Sequence, residues 1–234
     1  MTRTYQPIKI LERKSPEDGY RKIEKKTGKK ISRPKETNIS RNELEPYALD
    51  LIARIREADP DIRSSLAGSF RRHVENCHDL DILIAPYSER AETCIKQLGE
   101  VIISGQEKVS ILYSLQNGKT IQVDFRFIPL ESWGPALQYF TGSKEHNISV
   151  RRIAKQKGFL LNERGLYDGD GKRIDDNTEG GIYKPLNLRW LPPQYRNGYI
   201  HHSKNQPVPA PSWCIDHQEK DFCKRERNLK KVNH

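Results

Sequence analysis

The sequence predicts an α+β fold, and three observations carry the prediction. Apolar residues recur at helical spacing as Leu44, Tyr47, Ala48, Leu51, Ile52 and Ile55. Strand-like runs follow, CHDLDILIAP (77–86) and the hairpin VSILYSLQNGKTIQVDFRFIP (109–129). From Trp133 the pattern turns helical again and stays so to near Gly158, before a second, smaller hairpin.

Taken in order, residues 1–37 are Lys-rich and lack sustained apolar periodicity, so they are expected to be disordered or to fold only on a partner. Order is expected from Asn42, a candidate N-cap with Glu45 three residues on, and Pro46 in the first turn suits the helix that follows. A short strand, IRSSLA (62–67), leads into GSFRR (68–72) and then the strand holding Asp79 and Asp81. ERAETCIKQLGE (89–100) puts Ala91, Cys94, Ile95 and Leu98 on one helix face. In the long hairpin, Asn117-Gly118 predicts a two-residue type I′ turn. Its second strand sets Val123, Phe125 and Phe127 on one face and Gln122, Asp124 and Arg126 on the other. FLLNERGLYDGDGKRI (159–174) reads as a small hairpin turning at DGDG, which lacks the length and terminal Glu of a calcium loop. NLRWLPPQYR (187–196) closes the core with a proline stop.

Charge is unevenly distributed. Residues 1–41 carry a net +8 and residues 197–234 a net +3, around a central stretch of −1. Basic flanks on a near-neutral core suit a polyanion, nucleic acid ahead of an anionic membrane; the alternative is solvated tails that keep the protein soluble. No apolar run reaches the length of a transmembrane helix, and MTRTYQPIKILERK is too short and too charged for a signal peptide. The cysteines at 77, 94, 214 and 223 show no CxxC spacing. Reduced thiols in a cytoplasmic or nuclear-type compartment, not a secreted protein, are the expectation. Cys214, His217, Cys223 and His234, with His201 and His202 upstream, match no standard zinc spacing and are expected to be unligated.

Strand alternation puts Asp79 and Asp81 on one face, where like charges repel and burial penalises both. A hard divalent cation resolves that conflict. Mg²⁺ takes oxygen ligands while keeping waters and substrate phosphates, and a pair of such ions performs in-line phosphoryl chemistry. Upstream, Gly68 would let a phosphate approach the backbone, Ser69 offers a hydroxyl and an amide, and Arg72 a guanidinium fork. Each piece alone is weak: a DxD is commonly an ordinary strand feature, and Asp124 could simply pair with Arg126. Their conjunction, in this order, is specific.

GSFRR…DLDILI, then VDFRFIP, YFTGSKEHNISVR, GFLLNERGLYD, TEGGIY and LPPQYR, resembles the family X DNA polymerases, the DNA polymerase beta-like group, over residues 40–198. The resemblance implies a nucleotidyltransferase palm, a mixed sheet with helices on one face, over 38–130. It implies a small α/β C-terminal subdomain over 131–198 that closes on the nascent base pair, with basic segments 1–37 and 199–234 outside. It assigns Asp79, Asp81 and Asp124 as catalytic metal ligands for two Mg²⁺ ions, with Mn²⁺ a possible substitute. Gly68, Ser69 and Arg72 match the triphosphate-binding stretch, and Tyr139, Phe140, Thr141 and Gly142 the segment lining the incoming sugar and base. Asn147 matches a residue at the base edge, Arg151 one reaching the template minor groove, and Arg126 one that pairs with the second metal-binding aspartate in the open form. The adjacent rings of Tyr139 and Phe140 should disfavour a 2′-hydroxyl.

His73 and His78 stand where the family carries glycines near the triphosphate, so they either contact it or are ordinary surface histidines. Gln122 replaces a frequent Arg beside the third aspartate, which bears on how the primer terminus is oriented on DNA. Gly180, Gly181 and Pro185 weaken a helix that relatives keep. The lyase domain, helix-hairpin-helix grips and phosphatase-like domain of relatives have no expected counterpart. The expected function is that of a monomeric, template-directed DNA polymerase that fills short gaps from dNTPs in repair, wherever the DNA is. The alternatives are a template-independent, RNA or small-molecule nucleotidyltransferase of the same fold, which HNISVR argues against, and a catalytically idle DNA-binding protein, which the intact aspartates oppose.

Overall fold

Helix α1 (Arg41–Ala58) turns Leu44, Ala48, Leu51, Ile52 and Ile55 inward, as the spacing requires. The computed structural model describes residues 38–197. The N-cap is Ser40 rather than Asn42: its Oγ accepts the Glu43 N–H at 3.3 Å. What decides between the two is tertiary, because β1 (Ile39–Ser40) pairs antiparallel with β3 (Asn76–Cys77) and so ends the extended chain at Ser40. Pro46 is therefore the sixth helical residue, beyond the first turn; the carbonyl it leaves unpaired belongs to exposed Asn42, where water reaches it. The Glu43 carboxylate, instead of closing a capping box, accepts from Asn117 Nδ2 (2.6 Å) and Lys119 Nζ (3.0 Å) and ties the hairpin loop to the helix start. Burying Leu51 fully against the sheet makes Leu51→Ala worth ~2–5 kcal/mol of stability.

The central sheet has five strands, β2 (Arg63–Leu66), β4 (Asp79–Ala85), β5 (Glu100–Ser104), β6 (Lys108–Ser114) and β7 (Thr120–Phe127), in the order β2-β4-β7-β6-β5. It is mixed: β4 and β7 run parallel at its centre, and every other pair is antiparallel. Helices α1 and α3 (Glu89–Gln97) cover one face, where Leu80, Ile82, Ile84, Ile121, Val123 and Phe125 meet Leu51, Ile55, Ala91 and Ile95. The four-residue helix α2 (Gly68–Arg71) lies between β2 and β3.

The β6–β7 connection differs from the expected two-residue turn. Gly118 N–H donates to the Leu115 carbonyl and Leu115 N–H to Lys119, and Gly118 alone of Gln116, Asn117 and Gly118 takes a positive φ, 80°. This is the three-residue loop with a left-handed glycine at its end.

The second face of the sheet is divided along its length. Asp79 and Asp81 begin it on β4; Leu83 and Ala85, further along the same face, pack with Ile128 against Trp133, Ala136 and Leu137 of α4 (Trp133–Thr141). Arg63 stacks its guanidinium 4.3 Å from the Trp133 ring at this seam. Beyond it, α5 (Lys144–Gln156), β8 (Leu160–Asn162), β9 (Gly165–Tyr167) and α6 (Glu179–Tyr183) enclose a second core of Val150, Ile153, Leu161, Leu166, Ile182 and Leu186. The small hairpin turns at Glu163-Arg164, not at DGDG, which makes a separate turn that brings Arg173 back to bridge Tyr167. Helix α6 has five residues, capped by Thr178 Oγ1 accepting the Gly181 N–H at 2.9 Å. Among the described residues no helix is long and apolar enough to cross a membrane. The C-terminal Cys/His group and both basic flanks lie outside the described residues.

Candidate active site

The parallel pairing of β4 and β7 sets Asp81 directly opposite Asp124 and Asp79 opposite Gln122, so three carboxylates share one patch of the sheet face. Their environments differ. Asp79 and Asp81 are half-buried, whereas Asp124 is 6% exposed. Burial first, then the neighbouring carboxylates of Asp79 and Asp124, push the Asp81 carboxyl up to about 7. Burial and the Asp124 charge raise Asp79 in the same direction, opposed by His78. At Asp124 burial also pushes upward, but the Lys108 ammonium and hydrogen bonds from Lys108, Ser110 and Gln122 outweigh it and hold that carboxyl below its ordinary value. Lys108 Nζ stands 2.5 Å from Asp124 Oδ2, while Ser110 Oγ (2.7 Å) and Gln122 Nε2 (2.9 Å) donate to Oδ1.

Among the described residues no three His, Cys, Asp or Glu side chains converge as a ready-made metal cage. The donor set nevertheless fits a hard divalent cation: oxygen ligands only, from two adjacent strands, two of them short of counter-charge. Gly68 closes the other side. A Cβ there would lie 2.2 Å from Asp81 Oδ2, and its φ of 56° is one that side chains rarely adopt. Only a glycine lets the α2 backbone sit against this carboxylate.

Ser69 is half-buried on α2, beside Cys77, and Arg72 follows directly. The Arg72 guanidinium faces the C-terminal part of the chain, donating to the Thr141 carbonyl (2.5 Å) and to Asn197 Oδ1 (3.1 Å). His73 is exposed at φ 58°, a conformation that favours glycine and that histidine tolerates better than most residues. His78 is also exposed, immediately before Asp79.

On α4, Tyr139 and Phe140 stand edge to face with ring centroids 5.1 Å apart, both half-buried. Gly142 follows Thr141 at φ 68°. Asn147 is turned inward, accepting from Gln138 Nε2 (2.9 Å) and donating to the Tyr139 carbonyl (2.6 Å). Arg151 lies exposed on α5. Arg126 forms no ion pair with Asp81 of the kind the sequence led us to expect; its guanidinium lies 4.5 Å from the Phe140 ring centroid and reaches Asp79 and Asp81 only as a nearby charge.

Sequence reasoning missed a second charged cluster beside this face. Arg71 donates bidentately to Glu179 (2.9 and 3.0 Å) and to Thr141 Oγ1 (2.6 Å). Arg196 Nη1 reaches the same carboxylate at 2.5 Å, and Trp190 Nε1 at 3.0 Å. Glu179 and Arg196 are wholly buried, and Arg71 is 8% exposed. Burial works against the Glu179 charge, but the two guanidiniums outweigh it and hold the carboxyl far below its ordinary value. His146, buried on α5 with Nε2 2.9 Å from Tyr183 Oη, is pushed down to about 3 by burial and the Arg196 charge, so it is neutral at physiological pH. The TEGGIY and LPPQYR stretches carried a signal, but only as parts of a resemblance.

The chain matches two family models: DNA polymerase beta palm over residues 38–128 and DNA polymerase beta thumb over 136–197. It is similar to the DNA polymerase/3′-5′ exonuclease PolX of Bacillus subtilis, 36% identical over 159 residues, which cover 64% of this chain and 28% of that protein. Similarity to the DNA-directed DNA/RNA polymerase mu of Homo sapiens is 25% identity over 208 residues, 69% of this chain and 42% of that one. With DNA polymerase lambda of Rattus norvegicus it is 27% over 168 residues, 59% and 29%. The chain therefore spans less than half the length of each of these relatives.

Proposed function

Because the chain belongs to the family X DNA polymerases, we propose that it is a template-directed DNA polymerase that fills short gaps, joining a dNTP to a primer 3′-hydroxyl. The observation that carries this reading is the register that puts Asp81 opposite Asp124, with Asp79 on the same face and Gly68 against Asp81. In this reading Asp79 and Asp81 would hold both Mg²⁺ ions and Asp124 the one that serves the primer hydroxyl, with residues 38–130 and 131–198 as palm and closing subdomain. When bound, the ions supply Lewis-acid charge that favours the primer alkoxide and offsets the charge of the leaving pyrophosphate.

The chain's own residues do the rest. Gly68 and Ser69 present backbone and hydroxyl to the triphosphate, and Arg72 exchanges the Thr141 carbonyl for phosphate oxygens, a stronger acceptor for a guanidinium. Tyr139 and Phe140 form a wall against the sugar, and Asn147 turns from Gln138 to the base edge. Arg151, already exposed, is free to follow the template strand. The basic flanks add sequence-independent phosphate attraction, so removing residues 1–37 should flatten the dependence of log affinity on log salt.

Single-turnover insertion on gapped DNA, with each dNTP and rNTP separately and with the template base varied or absent, tests the reading. Insertion that follows the template base and requires a divalent ion is expected. Equal insertion without a template, or none in any metal, would sink it.

A further inference from the structure

The Lys108–Asp124 pair has a consequence for how a metal reaches the site. Asp124 Oδ1 is committed to two neutral donors, Ser110 Oγ at 2.7 Å and Gln122 Nε2 at 2.9 Å. Oδ2 accepts instead from the Lys108 ammonium at 2.5 Å, with the side chains only 12% and 8% exposed. A carboxylate oxygen in contact with an ammonium is a poor inner-shell ligand for Mg²⁺, because the two positive charges repel across the atom they share. The two cations compete for one atom.

We propose that Lys108 is a displaceable counter-ion: it occupies the metal-facing oxygen of Asp124 in the free protein, and a divalent cation binds there only as the ammonium swings away. This rests on the reading of Asp124 as a metal ligand. The placement suits exchange. Lys108 opens β6 opposite Arg126, and its backbone is fixed by the Gly105–Lys108 turn, with hydrogen bonds of 2.9 and 3.3 Å. The flexible four-carbon arm can therefore rotate without moving the strand. Ser110 and Gln122, which stay on Oδ1, keep the carboxylate aimed while its partner changes. Lys108 would then be a positioning residue, one that holds the Asp124 carboxylate in place before the metal arrives and sets the affinity the metal must exceed.

The test uses the full chain without DNA or nucleotide. Mn²⁺ binding is followed by the loss of the free-ion electron paramagnetic resonance signal in the parent, Lys108→Met, Asp124→Asn and the double variant. Lys108→Met should bind Mn²⁺ roughly tenfold tighter, equivalent to about 1.4 kcal/mol, and the gain should vanish in the double variant. In parallel, the parent is labelled with an amine reagent in EDTA and in saturating Mg²⁺, and labelling at Lys108 is read by peptide mass spectrometry. Labelling should rise with Mg²⁺ in the parent and not in Asp124→Asn. A salt bridge that only holds the strands together would leave Lys108 equally shielded in both conditions, and that result overturns the proposal even if Lys108→Met fails to fold. Weaker Mn²⁺ binding in Asp124→Asn with no effect of Lys108→Met would leave Asp124 a ligand and remove Lys108 from its role. Unchanged binding in Asp124→Asn would instead remove the reading beneath it.

Discussion

At Glu179 one carboxylate meets two guanidiniums and an indole N–H, out of reach of solvent. Where the head of β4 pairs with the middle of β7, three carboxylates share a face with one ammonium bonded among them, and two of the three are only half-buried. Both clusters concentrate charge where the dielectric is low. The first is satisfied internally and joins the strand–helix turn at Arg71 to the last turn of the described chain. The second is left short of positive charge, and its raised carboxyl groups mark a place that a cation from outside would complete in the proposed reading. Carboxylates short of counter-charge, close to a carboxylate fully matched by cations, are the signature of a site rather than of a poorly paired core.

The sharpest way to break this comparison is to neutralise one member of each cluster. Asp81→Asn should reduce single-turnover nucleotide insertion by roughly three orders of magnitude or more, a barrier increase of about 4 kcal/mol. It should leave the thermal midpoint without metal unchanged or higher, because a repelling charge has been removed. A fall in that midpoint would show that the acidic cluster is structural. Glu179→Gln should do the reverse, lowering stability in urea by ~3–5 kcal/mol because two buried guanidiniums lose their carboxylate. A loss well under 1 kcal/mol would contradict the assignment of that cluster as the internal clamp.

The pH dependence follows from the same contrast. The Asp81 carboxyl moves from an ordinary 3.8 to about 7 in the folded protein, so its contribution to stability is fully present below 3.8 and is lost as pH rises through 7. The carboxyl of Glu179 shifts downward, so its contribution is present above its ordinary value of 4.5 and is lost on acidification. The difference in stability between parent and Asp81→Asn, measured without metal, should therefore change steadily between about pH 4 and 7 and level off above it. A flat difference would mean that Asp81 is not charged against its neighbours. The smallest effect belongs to Trp190→Phe, which removes one of the hydrogen bonds to Glu179 while both arginines stay; about 1 kcal/mol of stability in the same urea assay is expected.

The sheet, its acidic face and the inward face of α1 were legible because they rest on local periodicity: alternation in DLDILI and QVDFRF, and a spacing of three and four from Leu44 to Ile55. What escaped depended on distant partners. Ser40 and Asn42 each precede a Glu by three residues, and only the pairing of Ile39–Ser40 with Asn76–Cys77 chooses between them. Asn117-Gly118 fits two hairpin loops of different length, and the strand ends choose one. Glu179 stands before two glycines with no local sign of its partners, which lie 108 and 17 positions away. Lys108 stands just before the predicted hairpin, and only the sheet brings it to Asp124, 16 positions on. Arg126 was expected to pair with an aspartate, but the Phe140 ring on α4 holds it instead.

The contact between Gly68 and Asp81 makes the turn at α2 and the acidic strand one mechanical part. With 2.2 Å between the place of an absent Cβ and a carboxylate oxygen, even a methyl group at position 68 would shift the aspartate or unwind the turn. A randomised library at this position, screened for activity, should return glycine alone, whereas the exposed neighbour His73 should accept glycine and asparagine at its left-handed backbone. The two halves of the site thus cannot be tuned separately through this residue: whatever moves the turn proposed to meet a triphosphate also moves an oxygen proposed to meet a metal.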